Sequence, residues 1–174
     1  VLCVARGTPY LGAALAVHPS LRVAATDPGG FSAPSAEQLA AYDVLVLDRT
    51  PLPEGAQHAA AVLFGPPSGQ LGAAGDADAP RVTAMLGSHP ALRGVRLDGV
   101  RVRRALRFSL EPGDQVLVRS GGDAIAIARE TPSRRTVAYG FDLGATDLVE
   151  REAFPLMVHQ SLQWAASVRD EIPL

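Results

Sequence analysis

The sequence predicts an α/β protein with a central parallel sheet, helices on both faces, and antiparallel strands added in the C-terminal half. Three observations favour this class. Short apolar runs alternate with helical stretches over residues 1–64, which is typical of βαβ units. Residues 44–48 are apolar on both faces, as in a central parallel strand. Strand-like runs then follow at short spacing, separated by turn-forming pairs.

The first half of the chain supplies the parallel strands and their connecting helices. Thr8 and Pro9 match the start of a helix, as N-cap and first helical residue. Ser35 and Gln38 match a capping box and open a second, short helix. Residues 69–79 lack periodicity and predict a loop, and residues 80–86 predict a short helix. The predicted strands are residues 1–5, 21–26, 44–48 and 60–64, and the first helix is residues 10–17.

The second half predicts antiparallel pairing and a closing helix. Gly121-Gly122 lies between two strand-like runs and is a signal for a tight hairpin. The closing helix covers residues 154–168 with Pro155 in its first turn. One apolar face of this helix is expected to pack on the sheet. The predicted strands here are residues 100–110, 114–119, 124–128 and 136–141, and the helix face comprises Phe154, Met157, Val158, Leu162 and Ala165.

Length and composition limit the possible functions. The 174 residues fit a single domain, residues 1–174, and the start at Val1 predicts a fragment of a longer protein. No apolar run approaches the roughly 20 residues that span a bilayer, so we expect no membrane insertion by this domain. A net charge of −2 gives no electrostatic argument for nucleic acid. With one cysteine, Cys3, the chain has neither an internal disulfide nor a thiolate cluster.

The order of several short motifs is similar to that of a known family. The motifs occupy residues 7–11, 42–48, 63–67, 89–95, 136–143, 153–157 and 162–164. Together they resemble the glutamine amidotransferase-like domain of bacterial membrane proteins that also carry a von Willebrand factor A domain and an aerotolerance-regulator (Bat-type) N-terminal segment. The most specific part is Gly140-Phe141-Asp142-Leu143, followed by Phe154-Pro155 and a helix with Trp164.

The resemblance implies a flavodoxin-like three-layer sandwich and a periplasmic position in a membrane-anchored protein. It also implies lost activity, because catalytic members need a Cys on a sharp turn after a central strand, with a His and a Glu. The corresponding turn here reads Gly65-Pro66-Pro67-Ser68 and contains no Cys. Its two prolines also remove backbone donors for an oxyanion. We therefore expect a non-catalytic binding or scaffold module, degenerate relative to the amidotransferases, without cofactor or metal.

Two alternatives remain open at the level of sequence. In the first, a hydrolase uses Ser68 as nucleophile with His89 or His159 as base and Asp142 as the orienting carboxylate. In the second, a small-ligand sensor uses the strand carboxyl ends, where Thr8 stands at a helix N-terminus. Thr8, Ser68 and Asp142 are therefore the candidate ligand-binding residues.

A run of arginines is the candidate partner surface. Arg101, Arg103 and Arg104 interleave with apolar residues, as on a half-exposed strand. Arginine pairs well with carboxylates, and aromatic residues for base stacking are nearly absent. We expect this surface to be either a solvated face or a docking site for an acidic protein or another domain of the parent protein, rather than a nucleic-acid site.

Overall fold

The computed structural model describes residues 1–7, 9–31, 34–56 and 59–167. Within these ranges, ten strands form one sheet, and three α-helices pack against it. The strands are β1 (Leu2–Val4), β2 (Ala24–Thr26), β3 (Val44–Asp48), β4 (Ala60–Phe64), β5 (Ala73–Asp78), β6 (Ala84–Met85), β7 (Arg104–Phe108), β8 (Gln115–Ser120), β9 (Asp123–Thr131) and β10 (Arg134–Tyr139). The helices are α1 (Pro9–Ala16), α2 (Ala36–Ala40) and α3 (Ala153–Ala166).

Five parallel strands form the centre of the sheet in the order β2-β1-β3-β4-β10. The second strand lies beside the first and the third lies on its other side, which is the strand order of flavodoxin-like sheets. Every residue of β3 and β4 is buried. The apolar runs that predict central strands therefore lie where both faces of the sheet are covered.

Helices cover both faces and confirm the three-layer arrangement. Leu11 and Leu15 of α1 pack with α3 in one buried apolar cluster. Leu39 of α2 belongs to the cluster on the opposite face, together with Phe31. The capping box of α2 is confirmed: the Ser35 hydroxyl accepts from the Gln38 N–H at 3.2 Å, and the Gln38 side chain accepts from the Ser35 N–H at 2.8 Å.

Antiparallel strands extend the sheet beyond β10, as predicted. β9 pairs with β10 on one side and with β8 on the other, and Gly121-Gly122 joins β8 to β9. β7 meets β9 at a single pair, Phe108 with Ala124, and β5 pairs with β7 at the edge. The second half of the chain thus widens the parallel core without interrupting it.

Two local predictions are wrong, and a third is too long. The predicted strand at residues 100–110 is β7 alone, so Arg101 and Arg103 precede the strand on which they were expected. Residues 69–79, predicted as a loop, contain β5, and residues 80–86, predicted as a short helix, contain β6. The Ala-Ala-Gly-Asp-Ala-Asp sequence of β5 has little intrinsic strand preference. Its backbone is extended because β7 supplies hydrogen-bonding partners along it, and β8 does the same for β6. Tertiary pairing overrides local preference in both segments.

Candidate functional site

The carboxyl ends of the parallel strands meet at one edge of the sheet. Arg6 follows β1, Arg49 follows β3, Gly65 follows β4, and Asp142 lies three residues beyond the end of β10. β1 is the strand at which the connections switch from one side to the other, and ligands of open α/β sheets bind beside such a switch point. A ligand site of this fold is therefore expected at this edge.

The end of β3 has unusual backbone and side-chain features. Asp48 is completely buried, and Arg49 after it has φ +48°, in the left-handed region that non-glycine residues rarely adopt. The Arg49 N–H donates to the Phe64 carbonyl at 2.8 Å, which fixes this conformation. Such a conformation costs on the order of 1 kcal/mol and persists where surrounding contacts enforce it.

The Arg49 guanidinium connects two carboxylates. It donates to Asp48 Oδ2 at 3.2 Å, and another nitrogen lies 4.0 Å from Asp142 Oδ1. The hydrogen bond to Asp48 is the main cause that raises the pKa of Arg49, so this side chain stays charged. Gly65 lies beside it, with φ +52°, and a Cβ there would approach Arg49 Cγ to 3.3 Å. The positive φ and the close approach of these two turns favour a glycine at position 65.

Side-chain bonds hold the loop after β3 in place. The Thr50 hydroxyl donates to the Asp48 carbonyl at 2.9 Å and is buried. The Gln70 side-chain amide makes two bonds to Leu52, accepting from its N–H at 2.9 Å and donating to its carbonyl at 3.2 Å. This loop therefore has a defined shape before anything binds to it.

Arg49 lines two of the cavities that open on this edge. The larger, about 550 Å³, lies over the ends of β1 and β3, and we call it the carboxyl-edge cleft. The smaller, about 180 Å³, lies between Arg49, Arg104 and Asp142. The cleft is lined by Arg6, Pro28, Phe31, Pro34, Arg49, Thr50, Pro51, Pro53, Glu54 and Gly55.

Asp142, a predicted ligand-binding residue, lies at the smaller cavity. Its carboxylate accepts from the Gly144 N–H at 2.9 Å and from Arg104 at 3.2 Å. It thus joins Arg49 to Arg104 across the end of the sheet. Two of the predicted residues, Asp142 and Arg104, come together here, although the sequence suggested different roles for them.

Ser68 is not brought together with His89 or His159, the two histidines proposed as its base. It lies in an exposed turn after β4, at the carboxyl edge. His89 is buried against Trp164, with ring centroids 4.8 Å apart, and Trp164 lies under Arg135 at the start of β10. Because β4 and β10 are parallel, the start of β10 is at the other edge of the sheet, about 13 Å away along the strand.

The other histidine proposed as a base also has a different neighbour. His159 stacks on His18, with ring centroids 3.6 Å apart. His18 follows the C-terminal end of α1, which is again near the amino edge of the sheet. The Ser-His-Asp constellation of the hydrolase hypothesis is therefore not assembled in this structure.

Cys3 is a buried core residue of β1. Burial, with a smaller contribution from the charge of Asp48, raises the pKa of its thiol to about 11. A nucleophilic cysteine needs a lowered pKa and access to substrate. Cys3 has neither.

The predicted partner arginines form bonds within the molecule. Arg101 pairs with Asp147 at 3.3 Å, and Arg103 donates to the Gly144 carbonyl at 3.2 Å. Arg104 pairs with Asp142. All three residues are nonetheless exposed. Thr8, the remaining candidate, lies outside the described residues.

Sequence reasoning missed the most unusual residues of the edge, Arg6, Asp48 and Arg49. The only sequence signal for Asp48 is a carboxylate at the end of an otherwise apolar strand. No sequence signal predicts the positive φ of Arg49, because arginine rarely adopts that conformation. Among the described residues, no group of three or more His, Cys, Asp or Glu side chains is arranged to hold a metal ion.

The fold has known structural counterparts. The cytoplasmic protein STM3548 from Salmonella typhimurium has a TM-score of 0.73 at 11% identity, covering 94% of this chain and 98% of its own. The cytoplasmic protein STM1381 from Salmonella typhimurium LT2 has a TM-score of 0.62 at 13% identity, covering 97% and 98%. A ThuA-like protein from Bacteroides uniformis has a TM-score of 0.60 at 11% identity, covering 94% and 89%. No protein-family model and no curated protein matches the sequence.

These similarities place the fold in the glutamine amidotransferase-like, flavodoxin-like class. They do not support a periplasmic position in a membrane-anchored protein, and that prediction is wrong: both Salmonella proteins are named as cytoplasmic. Within the described ranges, no helix has the length and apolar character needed to cross a bilayer. The resemblance predicted the fold class correctly, and its prediction of the cellular location was wrong.

Proposed function

We propose that this chain is a non-catalytic module that binds a small ligand in the carboxyl-edge cleft. The observation that carries the proposal is Arg49, a strained and charged residue at the switch point of the sheet that lines two cavities. Proteins retain such strain mainly where it serves a site. A cleft of about 550 Å³ is also within the size range of small-molecule sites.

The chemistry of the surrounding residues supports binding without catalysis. The only thiol is buried and has a raised pKa. The turn that would carry a nucleophile has Pro66 and Pro67 in it, and neither His89 nor His159 lies beside Ser68. A carboxylate at Asp142 that is already bonded to Arg104 and Gly144 is better suited to fixing geometry than to moving protons.

A thermal-shift screen with a library of small metabolites tests this proposal. A ligand present at 100 times its Kd stabilises by about 2.7 kcal/mol, which should raise Tm by roughly 5–10 °C for a chain of this size. Arg49→Ala should strongly reduce the shift, because it removes a side chain that lines the cleft and bonds the loop after β3 to Asp48. Arg93→Ala, an exposed arginine away from the cleft, is the matched control and should retain it.

Two outcomes would contradict the proposal. Hits that stabilise Arg49→Ala as strongly as the unaltered protein would place the ligand elsewhere. Turnover of a hit by the unaltered protein, detected by following its concentration by NMR, would contradict the non-catalytic half. Circular dichroism of Arg49→Ala at the assay temperature establishes that loss of binding is not loss of fold.

A second proposal concerns partners and rests on the arginine surface of Arg101, Arg103 and Arg104. We infer that an acidic protein, or a neighbouring domain of the von Willebrand factor A type suggested by motif order, docks there. The exposure of the three side chains supports this proposal. Asp147 and Asp142 already pair with Arg101 and Arg104, which reduces the net positive charge of the surface. Replacing all three with Ser should weaken capture of such a domain at least tenfold, and unchanged capture would exclude this surface.

A further inference from the structure

We propose that the ligand of the carboxyl-edge cleft is a small monoacid with an apolar body, whose acidic group pairs with Arg6. This inference rests on the proposed function and adds the chemical class of the ligand. It follows from three features of the cleft: its walls, the state of each charged side chain, and the position of the carboxylates behind Arg49.

The walls of the cleft are apolar and rigid. The side chains that line it include Phe31, which is buried, and four prolines: Pro28, Pro34, Pro51 and Pro53. Proline rings have little conformational freedom to lose, so a ligand that packs against them pays little for ordering the site. Such walls favour a ligand with an aromatic or aliphatic body, and they offer few hydrogen bonds to a ligand that is polar throughout.

The charged side chains of the cleft are Arg6, Arg49 and Glu54. Arg49 is already bonded to Asp48 and lies near Asp142. Arg6 is exposed and forms no ion pair or hydrogen bond with any other described residue. Arg6 is therefore the cation of this cleft lining whose charge is not already paired with a carboxylate of the described residues. Arginine binds carboxylates through two parallel hydrogen bonds.

The charge balance favours one acidic group over several. Asp48 and Asp142 lie behind Arg49 and would repel an anion that approached it. Glu54 adds a further negative charge to the lining. A single carboxylate can pair with Arg6 and keep away from these groups, whereas a second acidic group would find only carboxylates or a neutralised arginine.

An NMR titration with paired probes tests the inference. Benzoate, phenylacetate and hexanoate are each compared with the corresponding neutral amide, by following the backbone amide signals of the ¹⁵N-labelled protein at near-physiological salt. We expect the acids to shift signals of Phe31, Thr50 and Gly55, and to bind about tenfold more tightly than their amides. Inorganic phosphate alone should shift these signals only at much higher concentration, because it has no apolar body.

Two variants assign the effect to Arg6. Arg6→Gln should reduce the affinity of the acids to that of the amides, and it should leave amide binding unchanged. Arg93→Gln removes an equal charge away from the cleft and should change neither. An equal loss in both variants would mean that net charge, rather than a contact with Arg6, produced the preference.

The outcomes separate this inference from the proposed function. Acids and amides that bind the cleft equally would overturn the monoacid class while leaving the cleft as a ligand site. Phosphate binding as tightly as benzoate would overturn the role of the apolar walls. Probes that shift no cleft signal would overturn the inference. The library screen with Arg49→Ala would then decide separately whether the cleft binds a ligand of another class.

Discussion

Asp48 and Arg49 combine burial with backbone strain: the carboxylate of Asp48 is fully buried, and its neighbour Arg49, which has a positive φ, donates a hydrogen bond to it. Arg49→Gly removes both the guanidinium and the backbone strain. We expect a net loss of about 1–3 kcal/mol in the free energy of unfolding, since losing the ion pair between Arg49 and the buried Asp48 outweighs the strain released. Urea denaturation followed by circular dichroism measures it.

A double-mutant cycle checks this explanation. Asp48→Asn with Arg49→Gly should be more stable than Arg49→Gly alone, because the neutral amide does not need a cation. If the double variant is instead the less stable of the two, the ion pair is not what the arginine contributes, and the loss must come from packing of its aliphatic stem.

His89 gives the protein a specific sensitivity to acid. Its Nδ1 accepts from the Ala91 N–H at 3.1 Å, which requires that nitrogen to be unprotonated. Burial is the main cause that lowers the pKa of His89, with the charge of Arg135 acting in the same direction and Glu130 opposing them. The stabilising neutral form is fully present above the unfolded pKa of about 6.5, and its contribution is lost as pH falls below that value.

The corresponding test replaces His89 with Asn, which caps a helical turn without titrating. Between pH 7 and pH 5, stability of the unaltered protein should fall more steeply than that of His89→Asn, by at most about 1.4 kcal/mol per pH unit. His159 contributes a parallel acid sensitivity in both proteins, since burial and the charge of His18 also lower its pKa. Identical pH profiles would exclude His89 as a source.

At the scale of single elements, the end of β10 depends on close backbone contact with β7. A Cβ at Gly140 would collide with the carbonyl of Leu106, and the Gly140 carbonyl accepts from the Leu106 N–H at 2.8 Å. Gly140→Ala should therefore cost about 2–4 kcal/mol in the free energy of unfolding, because backbone atoms must move apart. Equilibrium denaturation provides the measurement.

Gly12→Ala is the matched control for that substitution. Gly12 lies in α1 with nothing within 4 Å of an added Cβ. Alanine there should raise stability by about 0.5–1 kcal/mol through helix propensity. A destabilised Gly12→Ala together with a neutral Gly140→Ala would show that the contacts around β10 and α1 are assigned wrongly.

The elements that the sequence predicted share a physical property: their signals are local. The capping box of α2, the apolar runs of β3 and β4, and the glycine pair between β8 and β9 each carry their own information. β5 and β6 do not, because their conformation depends on strands far along the chain. The candidate site could not be predicted from the sequence for the same reason, because the conformation of Arg49 depends on a hydrogen bond to Phe64 of the neighbouring strand.

At the scale of the whole molecule, we expect the parallel core and the antiparallel extension to unfold together. β9 is hydrogen-bonded to β10 over six residue pairs, so the extension cannot separate without exposing the edge of the core. Trp164 packs at the amino edge and reports on the core by fluorescence, whereas far-ultraviolet circular dichroism reports on all elements. Coincident denaturation curves from the two signals are expected for one cooperative unit.

Separate midpoints would contradict this expectation and would make residues 1–174 two folding units. In that case, the antiparallel extension should unfold first. The circular dichroism signal, to which β5 through β9 contribute, should then begin to change before the fluorescence of Trp164 in the core. Hydrogen exchange would locate the boundary, with β5 through β8 exchanging before β3 and β4.

The position of β10 in the chain also has a consequence for biosynthesis. β10 covers the edge of β4, yet residues 65–133 lie between the two strands. At a synthesis rate of about 5–20 residues per second, the apolar β4 emerges roughly 4–14 s before its neighbour does. During that interval its open edge is a template for pairing with another nascent chain. Folding yield in the cell should therefore depend on translation speed and on chaperones that shield this one strand.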